Sequence, residues 1–240
     1  MTVNHNSGSV LSAVGVSAGY AAGRVLHGIS FEVRAGDVIA LIGRNGVGKT
    51  TLLRCIMGLI KPDCGRIEFL GAPLAGPASA IASSGIAYVP QGRDIFSDFT
   101  VRENLFMGAQ RAKKGVAAER FDSVLEYFPA LRAHLDRRGG VLSGGQQQQL
   151  AIGRALMGAP KLLLLDEPTE GIQPNIVAHI SDILGRVHES LGLPIIIVEQ
   201  NLKFAMGRAN RFLCMQKGSI AACGDIGELS EDVIAKYLRV

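Results

Sequence analysis

The string Gly43-Arg44-Asn45-Gly46-Val47-Gly48-Lys49-Thr50, with Thr51 behind it, constrains this chain more than any other. It fits G-x-x-x-x-G-K-[ST], which has meaning only between a strand and a helix. That context is present. An apolar run over 37–42 precedes it, and a helical pattern over 49–60, closed by Gly58 and Pro62, follows it. Glycines let such a loop fold back so that backbone N–H groups point at phosphate oxygens, and the helix N-terminus adds the positive end of its dipole. Lys49 is then expected to reach the β- and γ-phosphates of ATP, and the Thr50 hydroxyl to ligate Mg2+.

A partner element lies downstream. Leu162-Leu163-Leu164-Leu165 is a continuous apolar run that ends in Asp166 and Glu167. An Asp at the end of a buried strand can hold Mg2+, and the next carboxylate can orient and deprotonate an attacking water. A lone Asp-Glu would be read as an acidic loop cap; beside a phosphate loop that reading is poor. Strand-like runs at 10–16, 29–33, 66–70, 85–89, 162–165 and 195–198 alternate with helical patterns at 49–60 and 175–191. Strands buried on both faces and separated by helices indicate an α/β parallel sheet. The segment 71–92 reads as loop and strand. The stretch 92–155 is more polar and helix-like, with helices expected at 101–110 and 117–127, and a last short helix at 228–238. Residues up to about 7 read as a loose tail.

Composition enters as a test of a membrane reading. Hydrophobic residues make up 48% and the mean hydropathy is +0.25, yet no run of about 20 apolar residues exists. The uncharged stretches 1–23 and 71–92 are broken by Gly, Ser, Asn and Pro, and no basic segment precedes an apolar one, so neither a spanning helix nor an export signal is expected. Cys55, Cys64, Cys214 and Cys223 form no C-x-x-C pair and are expected to be reduced thiols. The net charge of +4 comes from scattered Lys and Arg, which points to a solvated face rather than to nucleic acid.

Leu142-Ser143-Gly144-Gly145-Gln146 is the most specific string in the chain. Ser-Gly-Gly opening a helix is a second anion site by the same logic as the first. Here the chain resembles the ABC ATPase family over nearly its whole length. The resemblance implies a P-loop NTPase core with a mixed β-sheet and an inserted α-helical subdomain. The core would take 8–91 and 156–240, and the subdomain 92–155. It implies a head-to-tail pair of ATPases, a second non-identical subunit or a second copy, with Ser143 and Gly145 on the partner's nucleotide. It places Tyr20 as an aromatic against adenine, although on sequence alone Tyr20 is as readily core. It places Gln91, in Tyr88-Val89-Pro90-Gln91, as a glutamine that senses Mg2+ and joins core to subdomain. Thr100-Val101-Arg102-Glu103-Asn104-Leu105 would lie near the groove that receives a membrane subunit, and it also fits an ordinary capping box.

Two positions depart from the commonest pattern of that family. Gln200 follows Ile195-Ile196-Ile197-Val198-Glu199 where a His is usual. A Gln can donate a hydrogen bond but cannot carry an imidazolium charge. Gln173, in Thr169-Glu170-Gly171-Ile172-Gln173-Pro174, replaces an aspartate. The strings Gln146-Gln147-Gln148-Gln149-Leu150, Thr169–Pro174 and Val89–Phe96 look most like the urea-importer ATPase, with the branched-chain amino acid importer as the alternative. The resemblance implies two integral membrane permease subunits, a periplasmic solute-binding protein acting indirectly, no nucleic acid, and a peripheral place on the cytoplasmic face of the inner membrane. A soluble ABC-type ATPase acting on DNA or ribosomes is the competing class. It usually has long insertions or two cassettes, and this chain has one phosphate loop and a compact segment between Thr50 and Leu142.

Overall fold

A computed structural model describes residues 8–110, 112, 114–230 and 234. In chain order the elements are β1 (Ser9–Tyr20), β2 (Gly23–Arg34), β3 (Val38–Gly43), α1 (Lys49–Ile56), β4 (Cys64–Phe69), β5 (Ala72–Pro73), α2 (Ala78–Ser84), β6 (Ile86–Val89), α3 (Val101–Gly108), α4 (Lys114–Tyr127), α5 (Pro129–Arg132), α6 (Gly144–Met157), β7 (Leu162–Asp166), α7 (Pro174–Leu191), β8 (Ile195–Glu199), α8 (Leu202–Arg208), β9 (Arg211–Gln216) and β10 (Ser219–Asp225). The larger sheet has the order β10-β9-β3-β8-β7-β6; its strands run parallel except β10, which pairs antiparallel with β9. A smaller antiparallel sheet has the order β2-β1-β4-β5.

The unbroken apolar runs follow from burial on both faces. Ala40, Ile42, Leu163, Leu165, Ile195 and Ile197 point into a core shared with α3, α4, α6 and α7. Ile39, Leu41, Leu162, Leu164, Ile196 and Val198 point the other way, onto α1 and the small sheet. Every residue of β3, β7 and β8 is buried, and each such Leu, Ile or Val contributes about 1.5–3 kcal/mol. Between β6 and β7 the described residues form helices and no strand.

Several expectations need correction. The helix expected over 49–60 stops at Ile56, because Gly58 takes φ 67 and its N–H turns back to the Cys55 carbonyl. The segment read as loop and strand contains α2, which starts after Pro77 on a run of Ala and Ser and closes at Gly85. The strand expected over 10–16 extends to Tyr20 and pairs with β2 across a tight reversal. The β9–β10 hairpin, turning at Lys217-Gly218, was not anticipated. The helix expected at 228–238 lies mostly outside the described residues, as does the tail up to residue 7; a short 3-10 turn occupies Ile226–Glu228. No helix among the described residues is long and apolar enough to cross a membrane. All four cysteines are free, as the spacing implies.

One close approach sets the packing of the helices. A Cβ on Gly108, at the end of α3, would overlap the carbonyl oxygen of Arg154 on α6. In an isolated helix Gly→Ala is worth up to about 1 kcal/mol of stabilisation. Here the clash is with backbone and the sign reverses. Gly108→Ala is expected to lower the unfolding free energy by about 1–3 kcal/mol. Urea denaturation of the two proteins measures it.

Candidate active site

The site is built where β3 ends and α1 begins. Gly48 caps α1 at φ 107, a conformation that strains any L side chain, and a Cβ there would lie 3.0 Å from Leu26 Cδ2. The Lys49 side chain folds back under the loop. Its Nζ donates to the carbonyls of Gly43 at 2.8 Å and Arg44 at 3.0 Å, and the residue is only 5% exposed. Burial lowers the Lys49 pKa, while the charges of Glu167, Asp166 and Glu199 oppose that shift. The charges of three carboxylates thus act on one ammonium.

Asp166 ends β7, two strands from β3 in the sheet order. Its Oδ1 accepts from the Thr50 hydroxyl at 3.1 Å and its Oδ2 from the Tyr88 hydroxyl at 3.1 Å. Burial pushes the Asp166 pKa up, those two hydrogen bonds pull it down, and the Glu167 charge pushes it up again. Burial is also the main reason that the Tyr88 hydroxyl is a weaker acid than usual. Glu167 follows in the left-handed region at φ 49, a costly conformation for a non-glycine residue. Its N–H donates to the Val198 carbonyl at 2.9 Å, and its Oε1 accepts from Gln200 Nε2 at 2.7 Å. A cleft of about 440 Å³ brings together Gly46, Lys49, Thr50, Gln91, Glu167 and Gln200; Asn45, Thr51 and Glu170 also line it.

Not every expected residue joins this cleft. Tyr20 is 47% exposed, outside the lining, with its hydroxyl accepting from Arg54 at 3.5 Å. Gln91 does line the cleft, and its amide donates to Glu170 Oε2 at 3.0 Å. Leu142–Gln146 lie outside the lining as well. Ser143 caps α6: its Oγ accepts from the Gln146 N–H at 3.4 Å, while Gln146 Oε1 accepts from the Ser143 N–H at 3.0 Å. Thr100 and Glu103 form the capping box that their spacing suggested.

Four residues were missed as site residues. Tyr88 and Glu170 hold Asp166 and Gln91. Arg93 donates to the Gln147 side chain at 3.1 Å and to the Glu170 carbonyl at 3.2 Å, so it ties the loop after β6 to α6 and to the turn after β7. Glu199 is 3% exposed at the end of β8. A signal for Glu199 existed: like Asp166, it is an acid directly after a continuous apolar run.

A strand–loop–helix phosphate cradle, a lysine inside it, and a threonine hydroxyl hydrogen-bonded to a buried aspartate behind it define an ATPase of the P-loop class. The profile of the ABC transporter family matches residues 26–170. The high-affinity branched-chain amino acid transport ATP-binding protein BraG of Pseudomonas aeruginosa is 43% identical over 212 residues, covering 88% of this chain and 91% of that protein. A probable branched-chain amino acid transport ATP-binding protein, LivF, of Archaeoglobus fulgidus is 34% identical, covering 92% of this chain and 94% of that one. An ATP-binding cassette of an ABC transporter, solved in its ADP conformation, superposes with a TM-score of 0.85 at 28% identity, covering 95% and 97% of the two chains. The chain belongs to the ABC transporter family and carries that family's ATP-binding and ATP-hydrolysing fold.

Proposed function

We propose that this chain energises an importer of branched-chain amino acids. The observation that carries this is the identity of 43% to BraG along nearly the full length of both chains, supported by the LivF relative. The preference for urea expressed by the strings around Gln146 and Thr169 gains nothing from these relatives, whose names specify branched-chain amino acids. The ATPase does not touch the solute, so neither reading rests on a residue of this site. We take 92–155 as the helical subdomain and 8–91 with 156–240 as the core. The partners are a second ATPase subunit, unlike this one or a copy of it, and membrane permeases, with this chain peripheral on their cytoplasmic side.

In this reading Gly43–Thr51 hold the phosphates of ATP, with Lys49 on the β- and γ-oxygens. Thr50 and Asp166 suit Mg2+: they offer two hard oxygen donors 3.1 Å apart. When bound, Mg2+ neutralises charge on the β- and γ-phosphates. Glu167 accepts a proton from the water that attacks the γ-phosphorus, and the bond to the β-phosphate oxygen breaks. Gln200 orients Glu167 through the 2.7 Å hydrogen bond. Ser143 and Gly145 serve the nucleotide of the partner subunit, consistent with their place outside this chain's own cleft. Tyr20, exposed, is free to stack on adenine, and Gln91 reports nucleotide binding to the helices by exchanging its Glu170 contact.

Gln200 donates one exposed hydrogen bond and no charge. Gln200→Ala is therefore expected to lower turnover by less than about tenfold, and Gln200→His by less again; steady-state ATPase assays decide it. A loss equal to that of Lys49→Ala would make Gln200 indispensable. For the solute, the complex is purified with its permease and binding-protein partners and reconstituted. Stimulation of ATPase by Leu, Ile or Val, with none by urea or short amides, is expected; the opposite pattern would remove the branched-chain reading.

A further inference from the structure

We propose that Glu199 is a positioning residue for hydrolysis: a buried carboxylate that braces the turn carrying Glu167 against the segment carrying Gln200. The inference rests on the reading of Glu167 as the base. Glu199 Oε1 accepts two hydrogen bonds from one residue, the Thr169 N–H at 2.9 Å and the Thr169 hydroxyl at 2.6 Å. Its Oε2 accepts two more, from the N–H groups of Gln200 at 3.1 Å and Asn201 at 3.2 Å. Each oxygen thus serves a different segment. Thr169 lies two residues after Glu167, and Gln200 is the residue whose amide holds Glu167.

These contacts close a ring. It runs from Glu167 along the chain to Thr169, across to Glu199, on to Gln200, and back to Glu167 through the side-chain hydrogen bond. Glu167 sits inside this ring at φ 49, a conformation that persists only where the surroundings over-determine it. Its own N–H on Val198 is one restraint, and the brace supplies the other two. A carboxylate suits the task because four donors converge on it, two per oxygen. An amide offers one accepting oxygen, and its NH2 would face N–H donors. Glu199→Gln therefore preserves volume while breaking one half of the brace. All four hydrogen bonds of the Glu199 carboxylate go to Thr169, Gln200 and Asn201, and its charge is the weakest of the three that act on Lys49, so its effect falls on the geometry of Glu167 more than on the grip on ATP.

The experiment measures ATP binding by a fluorescent analogue and single-turnover hydrolysis by the full-length chain. The proteins are wild type, Glu199→Gln, Thr169→Val, Glu167→Gln, and Glu167→Gln with Glu199→Gln. In Glu199→Gln the rate is expected to fall about 3–10-fold, with nucleotide affinity unchanged within about twofold. Thr169→Val, which removes one hydroxyl donor and keeps the side-chain volume, is expected to move the rate the same way by less. In the Glu167→Gln background Glu199→Gln is expected to add nothing, because it acts through Glu167. An unchanged rate in Glu199→Gln, an equal fall in affinity, or a full further loss in the double variant overturns the proposal. If Glu199→Gln does not fold, an unchanged Thr169→Val rate overturns it. Normal turnover in Glu167→Gln defeats the base reading. Normal turnover in Glu199→Gln beside an inactive Glu167→Gln defeats only the brace.

Discussion

Glu167→Gln is expected to lower the turnover of this chain by about 10²–10⁴-fold, the usual worth of a positioned general base, while leaving ATP affinity nearly unchanged. The two halves of that result have separate structural causes. Gln has the size of Glu, keeps an oxygen for the 2.7 Å hydrogen bond from Gln200, and keeps the N–H that donates to Val198. The turn at φ 49 therefore has no reason to move. What disappears is the ability to take a proton. Affinity survives because the phosphate contacts belong to the loop and Lys49, whose ammonium is fixed by the carbonyls of Gly43 and Arg44. Losing one of the three carboxylates around Lys49 removes an attractive charge, so ATP, itself an anion, has one negative neighbour fewer. Binding is expected to hold or to tighten slightly. Equilibrium binding and steady-state hydrolysis, measured on the same preparation, test both halves. Unchanged hydrolysis would take Glu167 out of the role of base.

The parts of this site that were legible in the sequence are those in which one backbone segment does the chemistry. The phosphate loop and the acid at the end of β7 work through contiguous residues, so their spacing is written along the chain. The same holds for the capping boxes at Thr100 and Ser143, whose partners are three residues away. What escaped are contacts made by folding. Tyr88 meets Asp166 across 78 residues, Gln91 meets Glu170 across 79, and Arg93 meets Gln147 across 54. Each partner is an ordinary polar residue in its own neighbourhood. The β9–β10 hairpin escaped for another reason: the apolar run of β9 is only four residues, Phe212–Met215, between Arg211 and Gln216, and β10 is only half-buried. The early end of α1 reflects Gly58, which turns the chain immediately before Leu59 and Ile60 could continue the helix.

Lys49→Ala is expected to weaken ATP binding by about 10- to 150-fold, since a hydrogen bond to a charged group is worth roughly 1.5–3 kcal/mol. The direction does not depend on the protein's stability, and the structure says why the two must be read apart. Lys49 also holds the loop together from within, through its bonds to Gly43 and Arg44. Removing it frees two carbonyls and relieves a buried ammonium at once, so the change in unfolding free energy is expected to be small beside the loss of binding. Lys49→Arg makes the distinction sharper. It keeps the charge, but a planar guanidinium cannot replace a compact ammonium in a space that leaves Lys49 only 5% exposed. If the loop needs a point charge at that spot, Lys49→Arg behaves like Lys49→Ala in nucleotide titration, and the overpacked side chain lowers its melting temperature in the absence of nucleotide by a few degrees. If positive charge alone sufficed, Lys49→Arg would recover most of the affinity, and the geometry of the ammonium between the two carbonyls would no longer explain binding.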